Sequence, residues 1–207
     1  MYKLIIFDFS KTLAYSGKAD FKGIFDRLKE YGILINDENQ ARQFFDRVFS
    51  LFSEVDNWTE FTDRVIEFSA VDISKEKKGD LAKYLQKKLS FKLYDDAKEI
   101  FNLPQRKAIL TLASRFLVEG IKELSHFDIF TEREIQFKKP DKRAFLEVLR
   151  KMKTIPEEAV MVGDSLEKDI MPAINLGITG ILIDREGKVS DNSIVKISSL
   201  KELKRYL

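Results

Sequence analysis

The chain has 207 residues, 44% of them hydrophobic and 34% charged, enough for one domain or for a domain carrying an inserted subdomain. Its 36 basic and 34 acidic residues nearly cancel, and no basic stripe interleaved with aromatics stands out, so neither nucleic acid nor a membrane surface is expected as a partner. Cysteine is absent, which excludes disulfides, thiolate nucleophiles and thiolate metal sites together; with no secretion-signal pattern in the first residues, the expected location is the cytoplasm.

In chain order, Leu4-Ile5-Ile6-Phe7 is a short apolar run of the kind that forms a buried strand, and it ends in Asp8. A helical stretch follows. Phe21, Ile24, Phe25 and Leu28 are spaced as one helix face. Phe44, Val48, Phe49 and Phe52 make a second, Phe61, Val65 and Phe68 a third, and Leu81, Tyr84, Leu85 and Leu89 a fourth. From there strands and helices alternate. A helix over 95–103 is stopped by Pro104, and strands are predicted over 107–112 and 127–130. An amphipathic helix covers 141–152 and a strand 159–162. A helix over 170–176 ends at Gly177, a strand covers 179–183, a short strand 194–197, and a last helix 200–207. Alternation of this kind is the mark of a parallel sheet with crossovers. A strand that opens the sheet, leaves for about 75 residues and returns makes the helical part an insertion.

In an open α/β sheet, ligands meet side chains at the carboxyl ends of strands. Asp8 stands there. So does Thr111, after Ala108-Ile109-Leu110, and so does Asp164, after the run that ends at Gly163. Lys139 lies in the loop Lys138-Lys139-Pro140-Asp141, and Asp169 follows Asp164 closely. Taken singly, Thr111 reads as a β-branched strand residue, Lys139 as a solvated loop charge, Asp164 as a turn and Asp169 as a helix-start acid. Their order and placement together favour a site.

These residues resemble the motifs of the haloacid dehalogenase-like hydrolases: Asp8-Phe9-Ser10-Lys11-Thr12-Leu13, Thr111, Lys139-Pro140-Asp141, and Gly163-Asp164-Ser165 with Asp169. The resemblance covers roughly residues 1–14 and 91–183. It implies an α/β core, a Rossmann-like parallel sheet with helices on both faces, made of residues 1–14 and 91–207. It also implies a helical-bundle cap of the C1 type, inserted over 15–90. The activity implied is that of a phosphatase of small phosphorylated metabolites that works through an aspartyl-phosphate. Asp8 would be the nucleophile. Mg²⁺ would be held by Asp8, Asp164, Asp169 and the backbone carbonyl of Ser10, since Mg²⁺ prefers hard oxygen ligands. Thr111 and Lys139 would hold and neutralise the phosphoryl group.

Two positions depart from the family pattern. Ser10 stands where its phosphatases carry a second Asp that shuttles the leaving-group proton. Such acid–base catalysis typically contributes about 10²–10⁴-fold, so alkyl phosphates should turn over slowly, and acyl or aryl phosphates should need the acid least. Lys11 replaces the usual Gly and places a cation near the entrance, as a candidate substrate contact. The alternatives are a phosphate- or metal-binding module that has lost turnover and, below it, a carbon-centred hydrolase that needs no metal. Tyr15 and Lys18 could lie in the segment leading to the cap, with Tyr15 near the mouth of the site; Trp58 could face the site, and Arg115 could contact a substrate anion. His126, the only histidine, reads as structural. Substrate identity and oligomeric state have no signature in the chain.

Overall fold

The computed structural model describes residues 1–16, 21–191 and 193–207. An apolar run with no polar face must be covered on both sides. The first strand, β1 (Leu4–Phe7), is buried at all four positions. A tight turn leads from it to β2 (Ala14–Ser16). Four helices follow: α1 (Phe21–Lys29), α2 (Glu38–Glu54), α3 (Trp58–Phe68) and α4 (Lys75–Leu89). The chain then returns through β3 (Phe91–Leu93), which pairs with β2 in a two-stranded sheet, and a 3₁₀ helix, Asp95–Ile100. Next come β4 (Arg106–Leu110), α5 (Arg115–Glu119), β5 (Asp128–Phe130), α6 (Glu132–Ile135) and α7 (Lys142–Lys151). After β6 (Ala159–Gly163) a π turn, Leu166–Ile170, runs into α8 (Met171–Ile174). Strands β7 (Thr179–Ile183) and β8 (Val195–Ile197) and a 3₁₀ helix, Leu200–Arg205, complete the chain.

The main sheet has six strands in the order β5-β4-β1-β6-β7-β8, every neighbouring pair parallel. Numbered by appearance, that is the Rossmann order 3-2-1-4-5-6. The connection reverses direction beside β1, and this is where a crevice opens at the carboxyl edge. On one face, Phe145, Val148 and Leu149 of α7 pack with Leu4 and Ile6 of β1 and Met161 of β6.

The chain divides into two compact units: residues 1–15 with 92–207, and residues 16–91. Three helices of the second unit, α2, α3 and α4, start on side-chain caps. Asp37, Asn57 and Ser74 each accept the N–H three residues on, which satisfies a donor the helix leaves open. Its core is aromatic: Phe52 stacks on Phe61 with ring centroids 5.1 Å apart, and Trp58 packs edge-on against both. Phe49 and Phe68, assigned by spacing to buried faces, are exposed. Each touches a neighbouring ring at the margin of the cluster, Phe49 on Phe45 and Phe52, and Phe68 on Phe44.

The expected helices over 95–103 and 200–207 are 3₁₀ instead, six residues each. The 3₁₀ form is used in short pieces and as a connector between other elements; Asp95–Ile100 is such a connector and Leu200–Arg205 a short closing piece. Only Met171–Ile174 of the helix expected over 170–176 is α-helical. Short elements α5, α6, β2 and β3 have no counterpart among the sequence expectations.

Candidate active site

Asp8 leaves β1 still tied to the sheet, its backbone N–H donating to the Val162 carbonyl at 2.9 Å. The turn after it is closed by Leu13 and Ala14 N–H donating to the Phe9 carbonyl, at 3.0 and 2.9 Å. Phe9, Thr12 and Leu13 are fully buried beneath that turn. Ser10 and Lys11 are therefore the residues it presents outward. Thr111 follows β4, the strand on one side of β1, and Asp164 follows β6 on the other. Asp169 lies on the π turn, which Ser165 caps by accepting the Lys168 N–H. Lys139 comes from the loop before α7, whose N-cap is Asp141. Three adjacent strand ends, the π turn and one loop thus deliver these groups to one place.

The place is a pocket of about 300 Å³, lined by Asp8, Ser10, Lys11, Thr111, Lys139, Asp164 and Asp169 and completed by Leu112, Ala113, Ser165 and Lys168. At its floor the buried Lys139 ammonium donates to Asp8 Oδ1 and to Asp169 Oδ1, each at 2.6 Å. Asp169 is also fixed from the other side, its Oδ2 accepting the Ser165 N–H at 3.1 Å. Thr111 Oγ1 accepts the Ala113 N–H at 3.0 Å, which leaves the hydroxyl proton to be given elsewhere.

The electrostatics follow from three carboxylates around one ammonium, two of whose three donors are already taken by Asp8 and Asp169. Burial works to discharge Lys139, but the charges of Asp8 and Asp169 outweigh it and hold the lysine above its usual range. Burial and the nearby Asp8 charge raise Asp164. Burial also drives Asp169 up to about 6, with Lys139 opposing and Asp8 reinforcing. The cluster is short of positive charge. One oxygen from each of Asp8, Asp164 and Asp169 lies within 4.8 Å of the others, a hard-oxygen set that suits a divalent cation such as Mg²⁺ in both chemistry and charge.

Other positions singled out in the sequence lie differently. The Arg115 guanidinium is committed to Glu134 at 2.7 Å, to Glu119 at 3.3 Å and to the Ile129 carbonyl at 2.7 Å, so a substrate anion would have to displace protein partners. Tyr15 packs on Tyr94, ring centroids 4.8 Å apart. Lys18 is outside the described residues. His126 lines a separate cavity of about 420 Å³ with Phe101, Lys107 and Phe127, at the opposite, amino-terminal ends of β4 and β5.

Sequence reasoning missed Lys168, one residue before Asp169, and Arg185. Arg185 follows β7 and forms a bidentate pair with Asp96, at 2.8 and 3.0 Å. It also donates to the carbonyls of Lys11 and Thr12, at 3.3 and 2.9 Å, and lies 3.8 Å over the Tyr94 ring. No motif flags it, because its partners are up to 174 residues away.

A Rossmann-ordered sheet with a charged pocket at the switch point defines an α/β enzyme that works at the carboxyl edge of its strands. Within that class the chain belongs to the haloacid dehalogenase-like hydrolases, whose family model matches residues 2–177. It is 42% identical over 65 residues to the glyceraldehyde 3-phosphate phosphatase of Methanothermobacter thermautotrophicus, covering 30% of this chain and 29% of that one. It is 28% identical over 135 residues to the phosphoserine phosphatase of Thermus thermophilus, 58% of this chain and 53% of that one. The matches thus span about half of these relatives' lengths or less. Among solved structures, a HAD phosphatase from Thermococcus onnurineus superposes with a TM-score of 0.71 at 23% identity, over 99% of this chain and 97% of that one. A 2-haloacid dehalogenase from Pseudomonas syringae pv. Tomato gives 0.68 at 20% identity, with the same coverage. These two likenesses show the fold, which hosts both chemistries.

Proposed function

We propose that this hydrolase is a Mg²⁺-dependent phosphatase of small phosphorylated metabolites in the cytoplasm, with Asp8 as nucleophile. One observation carries the reading: Lys139 bridges Asp8 and Asp169 at the floor of a pocket whose third carboxylate, Asp164, completes a cation-sized set of oxygens. Asp8 attacks phosphorus as the bond to the leaving oxygen breaks, and the aspartyl-phosphate is then hydrolysed by water. Lys139 orients Asp8 through the bond to its Oδ1. It and the Thr111 hydroxyl meet the equatorial phosphoryl oxygens, where charge accumulates. Mg²⁺ would be held by Asp8, Asp164, Asp169 and the Ser10 carbonyl, and when bound supplies the positive charge that the three carboxylates lack. The named activities of the relatives support a phosphorylated small-molecule substrate.

Ser10 favours a second reading, a phosphate- or metal-binding module without turnover. Acid quench of the protein during turnover of acetyl phosphate with Mg²⁺, followed by peptide mass spectrometry, separates the two. A phosphoryl group on Asp8 supports the enzyme, and stoichiometric binding without any phosphate release supports the module. Release that proceeds while the phosphoryl group is found on another residue would overturn the role of Asp8. Turnover of haloacids without metal would favour the carbon-centred alternative.

A further inference from the structure

Lys11 holds its backbone at φ +62°, the left-handed region that side chains other than glycine enter at a cost. The conformation is enforced from both ends. The Lys11 N–H donates to the Ala14 carbonyl at 2.6 Å, and the Lys11 carbonyl accepts from Arg185 Nε at 3.3 Å. Arg185 is itself clamped on Asp96 and on the Thr12 carbonyl. A glycine would meet the same backbone requirement with less strain. What the lysine adds is an ammonium on the wall of the pocket that Asp8, Thr111 and Asp164 also line. Among the described residues this ammonium has no ion pair of its own.

The rest of the lining sets what that charge can serve. Among the described residues, the carboxylates of the pocket are Asp8, Asp164 and Asp169, all three in the proposed nucleophile and metal set, and no histidine reaches it. Lys139 is engaged by two of them. The remaining polar side chains are the hydroxyls of Ser10, Thr111 and Ser165 and the cations Lys11 and Lys168. Beyond the nucleophile and metal set, the lining therefore offers positive charge and hydroxyls rather than a further carboxylic acid or an imidazole. A leaving oxygen that would depart as an alkoxide needs a proton. One that departs as a carboxylate needs only charge compensation.

Building on the phosphatase reading above, we infer that the pocket is matched to phosphoryl donors whose leaving group departs as a stable anion, acyl phosphates foremost, and that the Lys11 ammonium meets the charge growing on the departing oxygen. The Asp8–phosphorus bond forms as the phosphorus–oxygen bond to the acyl group breaks, and the electron pair leaves with the carboxylate. Water then attacks phosphorus, Asp8 is restored as a carboxylate, and the water's proton goes to solvent with the phosphate. No general acid takes part.

The test is kcat/KM for acetyl phosphate, aryl phosphates of graded leaving-group acidity and glycerol phosphate, on wild type, Lys11→Met, Lys11→Gly and Asp8→Asn, with Mg²⁺. Wild type should prefer acetyl phosphate to glycerol phosphate by about 10²-fold or more, the lower range of a missing acid. Lys11→Met should steepen the dependence on leaving-group acidity. The poorest leaving groups should fall by about 10²-fold, the typical loss for one missing electrostatic donor, and acetyl phosphate should fall least. Lys11→Gly should show the same kinetics with a melting temperature at or above that of wild type, which excludes a folding defect as the cause. Glycerol phosphate turned over as fast as acetyl phosphate, or all substrates falling by one common factor in Lys11→Met, would overturn the inference. Release that persists in Asp8→Asn, or that is absent from wild type altogether, would instead overturn the phosphatase reading beneath it.

Discussion

At position 163 a side chain has no room. A methyl group there would lie 2.5 Å from both Cβ and Oδ2 of Asp169, so glycine at the end of β6 is what allows Asp169 to reach the Lys139 ammonium. Gly163→Ala should displace that carboxylate and lower Mg²⁺ affinity by about 10–100-fold, the usual effect of disturbing a ligand's support. Calorimetric titration with Mg²⁺ beside an unchanged far-ultraviolet spectrum would check it, and unaltered affinity would argue that Asp169 is no ligand. Ser10→Asp should act in the other direction, raising turnover of alkyl phosphates towards the about 10²–10⁴-fold worth of a proton shuttle, with acyl phosphates little changed. At this scale the sequence was most legible where a charged or hydroxyl residue closes an apolar run, as Asp8, Thr111 and Asp164 do. Lys139 lies in a plain loop and needed the family pattern. Arg185 had no local signal, since its contacts to Lys11, Thr12 and Asp96 exist only once the strands are ordered.

Among the elements, the pair Asp96–Arg185 ties the 3₁₀ helix after β3 to the end of β7. Ser199 and the Leu200 N–H, both on Asp96 Oδ2, add the start of the last 3₁₀ helix. Burial works to raise Asp96, but Arg185, the Ser199 hydroxyl and the Leu200 N–H outweigh it, and its carboxyl stays below the usual 3.8. A depressed carboxyl contributes stability that is fully present above its unfolded value and is lost as pH falls through the folded one. The knot should therefore loosen only below about pH 4, near the reference value of a free Asp. Asp96→Asn should cost about 1.5–3 kcal/mol at neutral pH, the worth of hydrogen bonds to a charged group, and should flatten the acid limb of the stability curve. Urea unfolding from neutral to acid pH measures both, and a variant that keeps the wild-type acid limb would contradict the role given to Asp96. Strands were legible as apolar runs bounded by turn residues, and β7 has the limits its sequence suggests. The misses are short: β2 and β3 have three residues each and α6 four, too few for a period to show.

For the whole molecule, the first strand and the other five of the main sheet are separated by a run of helices that forms a compact unit of its own. The parallel sheet was legible because strand and helix patterns alternate after residue 90. Substrate choice was not, because a Phe-rich helical face looks the same whether it packs on a neighbour or meets a ligand; Phe49 and Phe68 illustrate the ambiguity. If the acidic cluster binds Mg²⁺ in the folded state alone, the cation should stabilise the protein by about 2.7 kcal/mol at a hundred times its dissociation constant. Asp164→Asn should lose that gain, and thermal unfolding with and without Mg²⁺ reads it directly. The central claim rests on Asp8 and the cation together. Its most direct test is phosphate release from acetyl phosphate and p-nitrophenyl phosphate by wild type and Asp8→Asn, each with Mg²⁺ and with the metal chelated. The expected result is release by wild type with Mg²⁺ and none in the other three conditions. Release that survives chelation, or that Asp8→Asn retains, would contradict the account.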